Sequence, residues 1–156
     1  MNVSFENSFR SVSLEEVELY ENELNVRLPE DYKRFVLKNN GGKPVARRFK
    51  TKDGKHISSL MLFFPLTEDI EPNIISIFKE FNKNSKIPAN LLVIGEDPIK
   101  NKICLSFSGS DDGAVYYWSL DMEDILEEDY IPSYTNFSLI SSSFTEFVQN
   151  LSVLES

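Results

Sequence analysis

The 156-residue sequence has one cysteine, Cys104, and one histidine, His56. A lone thiol excludes an intramolecular disulfide framework and a multi-cysteine zinc site, and it fits a reducing compartment. Long apolar runs are also missing; the longest are short segments such as Leu60 to Leu66, and the start, Met1 to Glu6, lacks the basic and apolar regions of a signal peptide. A cytoplasmic protein with no membrane span is therefore expected. No phosphate-cradling Gly-x-Gly-x-x-Gly or P-loop spacing occurs. Basic residues stop altogether at Lys102.

What is present is the material of a globular fold. Hydrophobic residues make up 41%, enough to exclude a disordered chain, and twelve Phe and six Tyr can fill a sizeable core. At this length one domain spanning residues 1–156 is expected. The formal charge of −9 is unevenly placed: residues 1–90 hold fourteen Lys/Arg against thirteen Asp/Glu, whereas residues 91–156 hold two against twelve. One-sided acidity repels nucleic acid and anionic membrane and favours a basic protein partner; the alternative is that it serves solubility alone.

Ser13-Leu14-Glu15-Glu16 reads as a capping box opening a helix, with Leu14, Val17, Tyr20 and Leu24 on its apolar stripe. Pro29 opens a second helix carrying Tyr32, Phe35 and Val36, which Asn39-Asn40-Gly41-Gly42 should end through a left-handed glycine. Strand-like stretches Ala46 to Thr51 and His56 to Phe64, separated by Asp53-Gly54, predict a β-hairpin. Ile74, Ile77, Phe78 and Phe81 mark a third helix. Leu91 to Ile94, Lys102 to Phe107 and Ala114 to Trp118 predict a three-strand antiparallel meander, joined by turns at Asp97-Pro98 and Ser110 to Gly113. Ser143 to Glu146 repeats the capping box before a last helix with Phe147, Val148 and Leu151. This order predicts an α+β fold: an antiparallel twisted sheet with flanking helices, placed on one side.

The segment Leu28-Pro29-Glu30-Asp31-Tyr32-Lys33-Arg34-Phe35, closed by Asn40-Gly41-Gly42, resembles the N-terminal signature of the SUKH superfamily. Ile103 to Ser106 followed by Gly113-Ala114-Val115-Tyr116-Tyr117-Trp118 is similar to that family's strand, glycine turn and aromatic strand, and Ile140 to Phe147 to its closing helix. Members include yeast cell-wall-assembly regulators and many bacterial immunity proteins. The resemblance implies a non-catalytic protein-binding scaffold, most often an immunity protein against a nuclease or other toxin domain. It implies no catalytic residue and no cofactor.

The candidate chemistry is thin beside this. Cys104 and His56 admit a nucleophile pair in principle, yet Cys104 lies in an apolar strand and His56 follows a turn, where it should face water. The basic run Lys43, Arg47, Arg48, Lys50, Lys52 and Lys55, with Phe49 for stacking, admits phosphate contacts, but on a hairpin it reads better as a solvated edge. Along Val115 to Trp118, Tyr116 and Trp118 share one face and Val115 and Tyr117 the other; one pair is expected in the core, and the other is free to be an exposed anchor. The expected partner-binding surface is the acidic stretch Asp121, Glu123, Asp124, Glu127, Glu128 and Asp129 with the hairpin tip Asp111-Asp112. A toxin-binding immunity protein, a general regulatory scaffold and, third, a hydrolase remain the alternatives at this point. No metal ligand set is indicated.

Overall fold

The computed structural model describes residues 3–120, 126, 127 and 129–153. Strand β1 (Phe5–Ser8) precedes helix α1 (Leu14–Leu24) and helix α2 (Glu30–Lys38), followed by β2 (Gly42–Pro44), β3 (Arg48–Lys50), β4 (Ile57–Ser59) and β5 (Leu62–Phe63). Helix α3 (Ile74–Phe81) leads into β6 (Leu91–Glu96), β7 (Lys102–Ser106), β8 (Val115–Trp118) and β9 (Phe137–Ser141), and α4 (Phe144–Gln149) closes the described order. Seven strands form one antiparallel sheet in the order β1-β2-β5-β6-β7-β8-β9, while β3 and β4 pair separately. The α+β class is as the sequence predicts.

Local chemistry sets the helix boundaries. Ser13 Oγ accepts from the Glu16 N–H at 3.1 Å and Glu16 reaches back to the Ser13 N–H at 3.2 Å, so the first capping box forms. Asn25, at φ 55°, ends α1 in the left-handed region that Asn tolerates. Val17 and Leu24 of the stripe are buried, but Leu14 is half exposed because it stands in the first turn, ahead of the packed face. At α4 only half of the second box forms: Ser143 Oγ accepts from the Glu146 N–H, but the Glu146 carboxylate turns to Lys52 Nζ at 2.6 Å and Ser142 Oγ at 2.7 Å. Leu151 falls beyond the end of that helix.

The sheet is covered on both faces, not one. Side chains alternate along β8, and Tyr117 points at Phe49 of β3, ring centres 5.6 Å apart, with Phe147 of α4 behind it at 6.0 Å from Phe49. Phe63, reached along the same face through the pairs Phe63↔Gly95, Gly95↔Ile103 and Ile103↔Tyr117, meets Phe35 of α2 at 5.0 Å and Phe144 of α4 at 6.1 Å. Trp118 points the other way, edge-on to Phe81 of α3 at 5.3 Å and stacked on Phe137 at 5.1 Å. Every residue of β6 is buried as a result.

The predicted hairpin exists but is cut short. His56 to Phe64 is not one strand: Leu60 and Met61 break it into β4, which pairs with β3, and β5, which enters the main sheet. The hairpin then lies across the sheet, where the Lys52 N–H donates to Leu139 O of the edge strand β9 at 2.7 Å.

The glycines after α2 serve another purpose than ending it. Asn39 terminates the helix in an extended conformation, whereas Gly41 (φ 79°) and Gly42 (φ 122°) let the chain pass between its neighbours. A Cβ on Gly42 would stand 2.2 Å from Asn7 O of β1, while one on Gly54, at φ 75° in the hairpin turn, would meet nothing within 4 Å. Gly42→Ala should therefore cost more than about 1–3 kcal/mol, the range for backbone strain alone, and Gly54→Ala no more than that strain. Urea midpoints of the two variants check this; equal losses would show that β1 does not crowd Gly42.

Candidate functional site

The hairpin between β7 and β8 carries Asp111 and Asp112, and the two behave differently. Asp112 is exposed. The Asp111 carboxylate turns inward and is half-buried, accepting from Ser106 Oγ at 2.8 Å, Tyr116 OH at 2.7 Å, Tyr134 OH at 3.0 Å and Asn90 Nδ2 at 3.1 Å. Burial works to raise its pKa, but the hydroxyl donors Tyr116, Ser106 and Tyr134 outweigh that and hold it below the ordinary carboxylate value. These partners lie 5 to 23 residues away in sequence.

Tyr134 belongs to the connection between β8 and β9, which holds most of the acidic stretch. It reaches Asp111 and Asn90 with its hydroxyl and packs its ring against Tyr116 (5.4 Å) and Phe137 (5.6 Å). Upstream, Tyr130 sits under Lys86 Nζ at 5.8 Å. The connection is thereby fastened across the Tyr116 face beside α3. The structure thus joins the hairpin tip to the acidic connection through the Tyr134–Asp111 contact, which no local pattern in the sequence signals. Neither Asn90 nor Tyr134 was singled out by sequence reasoning.

Of the eight acidic residues expected at the partner surface, Asp121, Glu123, Asp124 and Glu128 lie outside the described residues. Glu127 and Asp129 are exposed, next to Leu126 (71% exposed) and Ile131 (81%). Among the described residues no cation pairs with Asp112, Glu127 or Asp129. Other acids of the C-terminal part are matched internally: Glu96 with Lys102 (2.9 Å) and Lys100 (3.0 Å), Glu146 with Lys52, and Asp97 with Ser58 Oγ, Tyr117 OH and the N–H groups of Ile99 and Asn101. Among the described residues, Asp112, Glu127 and Asp129 are the exposed carboxylates of this part of the chain without a pairing cation, and Leu126 and Ile131, close to the latter two in sequence, are exposed as well.

An open cleft of about 470 Å³ lies at this surface, bounded by Asn90, Gly109, Ser110, Asp111, Tyr116 and Tyr134. Tyr116 is half-buried and Tyr134 is 40% exposed, their rings tilted 59° to one another. Neither face of β8 offers a fully exposed aromatic pair, because Tyr117 and Trp118 are both buried.

The alternative chemistries are not assembled. Cys104 pairs with Tyr116 and so projects from the α3 face, fully buried, and burial raises its thiol pKa far above the usual value. His56 does not face water as expected; it is half-buried against Tyr117, ring centres 5.1 Å apart, on the opposite face of the sheet. Phe49 is buried at 5% exposure and cannot stack on a base. Within the basic run, Lys43 and Arg47 pair with Glu6 and Lys52 with Glu146, while Arg48, Lys50 and Lys55 are exposed.

Residues 11–150 match the SMI1 / KNR4 family (SUKH-1), and no curated protein matches the chain.

Two predictions follow from this geometry. Since the folded pKa of Asp111 is depressed, its contribution to stability is complete above the unfolded-state value and is lost as pH falls through the folded one. The destabilisation caused by Asp111→Asn should be full near about pH 7 and shrink below about pH 4. Urea unfolding of both proteins across that range checks it, and a pH-independent difference would contradict it. Separately, Cys104→Ala and His56→Ala, with the fold retained by circular dichroism, should leave biological activity intact.

Proposed function

We propose a function from the fact that this chain belongs to the SMI1 / KNR4 family (SUKH-1): it is a non-catalytic immunity protein that acts in the cytoplasm by covering the basic surface of a cognate toxin domain. The family supports a binding domain of the immunity or regulatory kind. The observation that carries the finer reading is that Asp112, Glu127 and Asp129 stand exposed with no pairing cation among the described residues, and that Leu126 and Ile131, near the latter two in sequence, are exposed too. Crowded like charges repel, so a fold gains nothing from them by itself. A nuclease toxin must hold phosphates on a basic surface, and an acidic surface competes for it while steering a fast encounter. The apolar side chains among the charges supply the contact area that holds the complex once formed. Asp121, Glu123, Asp124 and Glu128 extend this surface in the proposal.

A regulatory scaffold with a second partner is favoured by one feature, the outer face of the β3–β4 hairpin. Arg48, Lys50 and Ile57 are exposed there, with Lys50 directly opposite Ile57. That face is complementary to an acidic surface, not a basic one.

Association kinetics with a cognate toxin domain, measured across an ionic-strength series, test the proposal. Reversing Asp112, Glu127 and Asp129 to Lys should slow association by about tenfold or more at low salt, flatten the salt dependence and leave thermal stability nearly unchanged. A triple variant that associates as fast as the parent contradicts the acidic surface. Equal retention of the toxin by an Arg48→Glu, Lys50→Glu variant excludes the hairpin face.

A further inference from the structure

The cleft beside Asp111 has a chemistry more specific than general acidity. Asp111 carries a full charge, yet its four partners are neutral: two tyrosine hydroxyls, a serine hydroxyl and an amide. Among the described residues no Lys or Arg pairs with it. Contrast Glu96, also buried, which the fold neutralises with two lysines.

The hydroxyl of Tyr116 donates its only proton to Asp111, and that of Tyr134 points its proton at Asp111 or Asn90 Oδ1. A phenol that donates to a carboxylate becomes a stronger acceptor at its oxygen, since charge is drawn outward along the hydrogen-bonded chain. The mouth of the cleft therefore presents acceptor oxygens and a net negative charge. Two tyrosine rings in contact, their centres 5.4 Å apart and their planes tilted by 59°, form an aromatic wall of the cleft. An open space of about 470 Å³ with an aromatic wall and acceptor oxygens at its mouth suits a flat cation with several N–H donors, which can lie on the exposed side of that wall.

We propose that this cleft receives an arginine side chain of the protein partner, the guanidinium lying against Tyr134 and Tyr116 and donating toward the Asp111-linked oxygens. This rests on the reading of the chain as a binder of a basic protein and names its anchor. Arginine fits better than lysine, because a planar guanidinium stacks on a ring while its edge donates, whereas an ammonium acts as a point charge.

The test uses L-argininamide as the probe on the isolated, isotope-labelled protein, so it does not depend on any toxin. Saturable NMR shifts should be confined to the Asn90 side-chain amide and the backbone amides of Gly109, Ser110 and Gly113. L-citrullinamide, which keeps the α-amino group but replaces the guanidinium by an uncharged urea of the same shape, should produce none. Tyr134→Phe keeps the ring and removes the hydroxyl, and should weaken argininamide binding; Asp111→Asn should weaken it by about tenfold or more. Asp112→Asn, next door but exposed, should bind as the parent does. Equal shifts with citrullinamide, undiminished binding by a folded Asp111→Asn protein, or shifts spread over the whole acidic surface would each overturn the proposal. Such failure leaves the toxin-binding reading to be judged by its own association kinetics.

Discussion

Strands β6, β7 and β8 direct large side chains to both faces of the sheet, and the placement of the other elements follows from covering those two faces. Tyr117 and Ile103 need a lid on one side, which the β3–β4 hairpin, α2 and α4 supply through Phe49, Phe35 and Phe147. Trp118, Tyr116 and Cys104 need one on the other, supplied by α3 and by the connection from β8 to β9. A buried aromatic side chain contributes roughly 1.5–3 kcal/mol over an exposed one, so neither face is stable bare. The connection that covers Tyr116 is also the most acidic part of the chain. Packing against Tyr116 thus anchors Tyr134, at the far end of that connection.

That coupling gives the candidate surface its character. Tyr134 ties the end of the connection to the hairpin tip through Asp111, so two distant parts of the sequence meet there. A preorganised surface loses less conformational entropy on binding than a free loop would. Asp111 itself is structural as well as a candidate contact, whereas Asp112, Glu127 and Asp129 have no internal role among the described residues.

The elements with strong local codes were legible in the sequence. Capping at Ser13, proline at residue 29, the stripe Ile74 to Phe81 and the alternating runs of β6 to β8 each act within a few residues. The missed strands β1 and β2 are four and three residues long, too short for a period of two to register. Strand β9 was missed for another reason: Phe137 to Ser141 mixes serines with apolar residues and lies between an acidic stretch and a capping signal. The hairpin's separation from the main sheet and the turning of His56 onto Tyr117 depend on contacts across the sheet. The candidate site was legible as a charge imbalance but not as a cleft, because Asn90, Asp111 and Tyr134 meet only after β6 to β9 have paired. Family resemblance, read from motif order, reached further than any single motif.

The proposed partner surface comprises the hairpin tip and the β8–β9 connection. Amide hydrogen exchange of the protein alone and bound to its toxin measures this directly. Added protection is expected at residues 107–113 and 126–136, with the β3–β4 hairpin unchanged. Protection confined to residues 46–59, with exchange at the acidic connection unaltered, would contradict it.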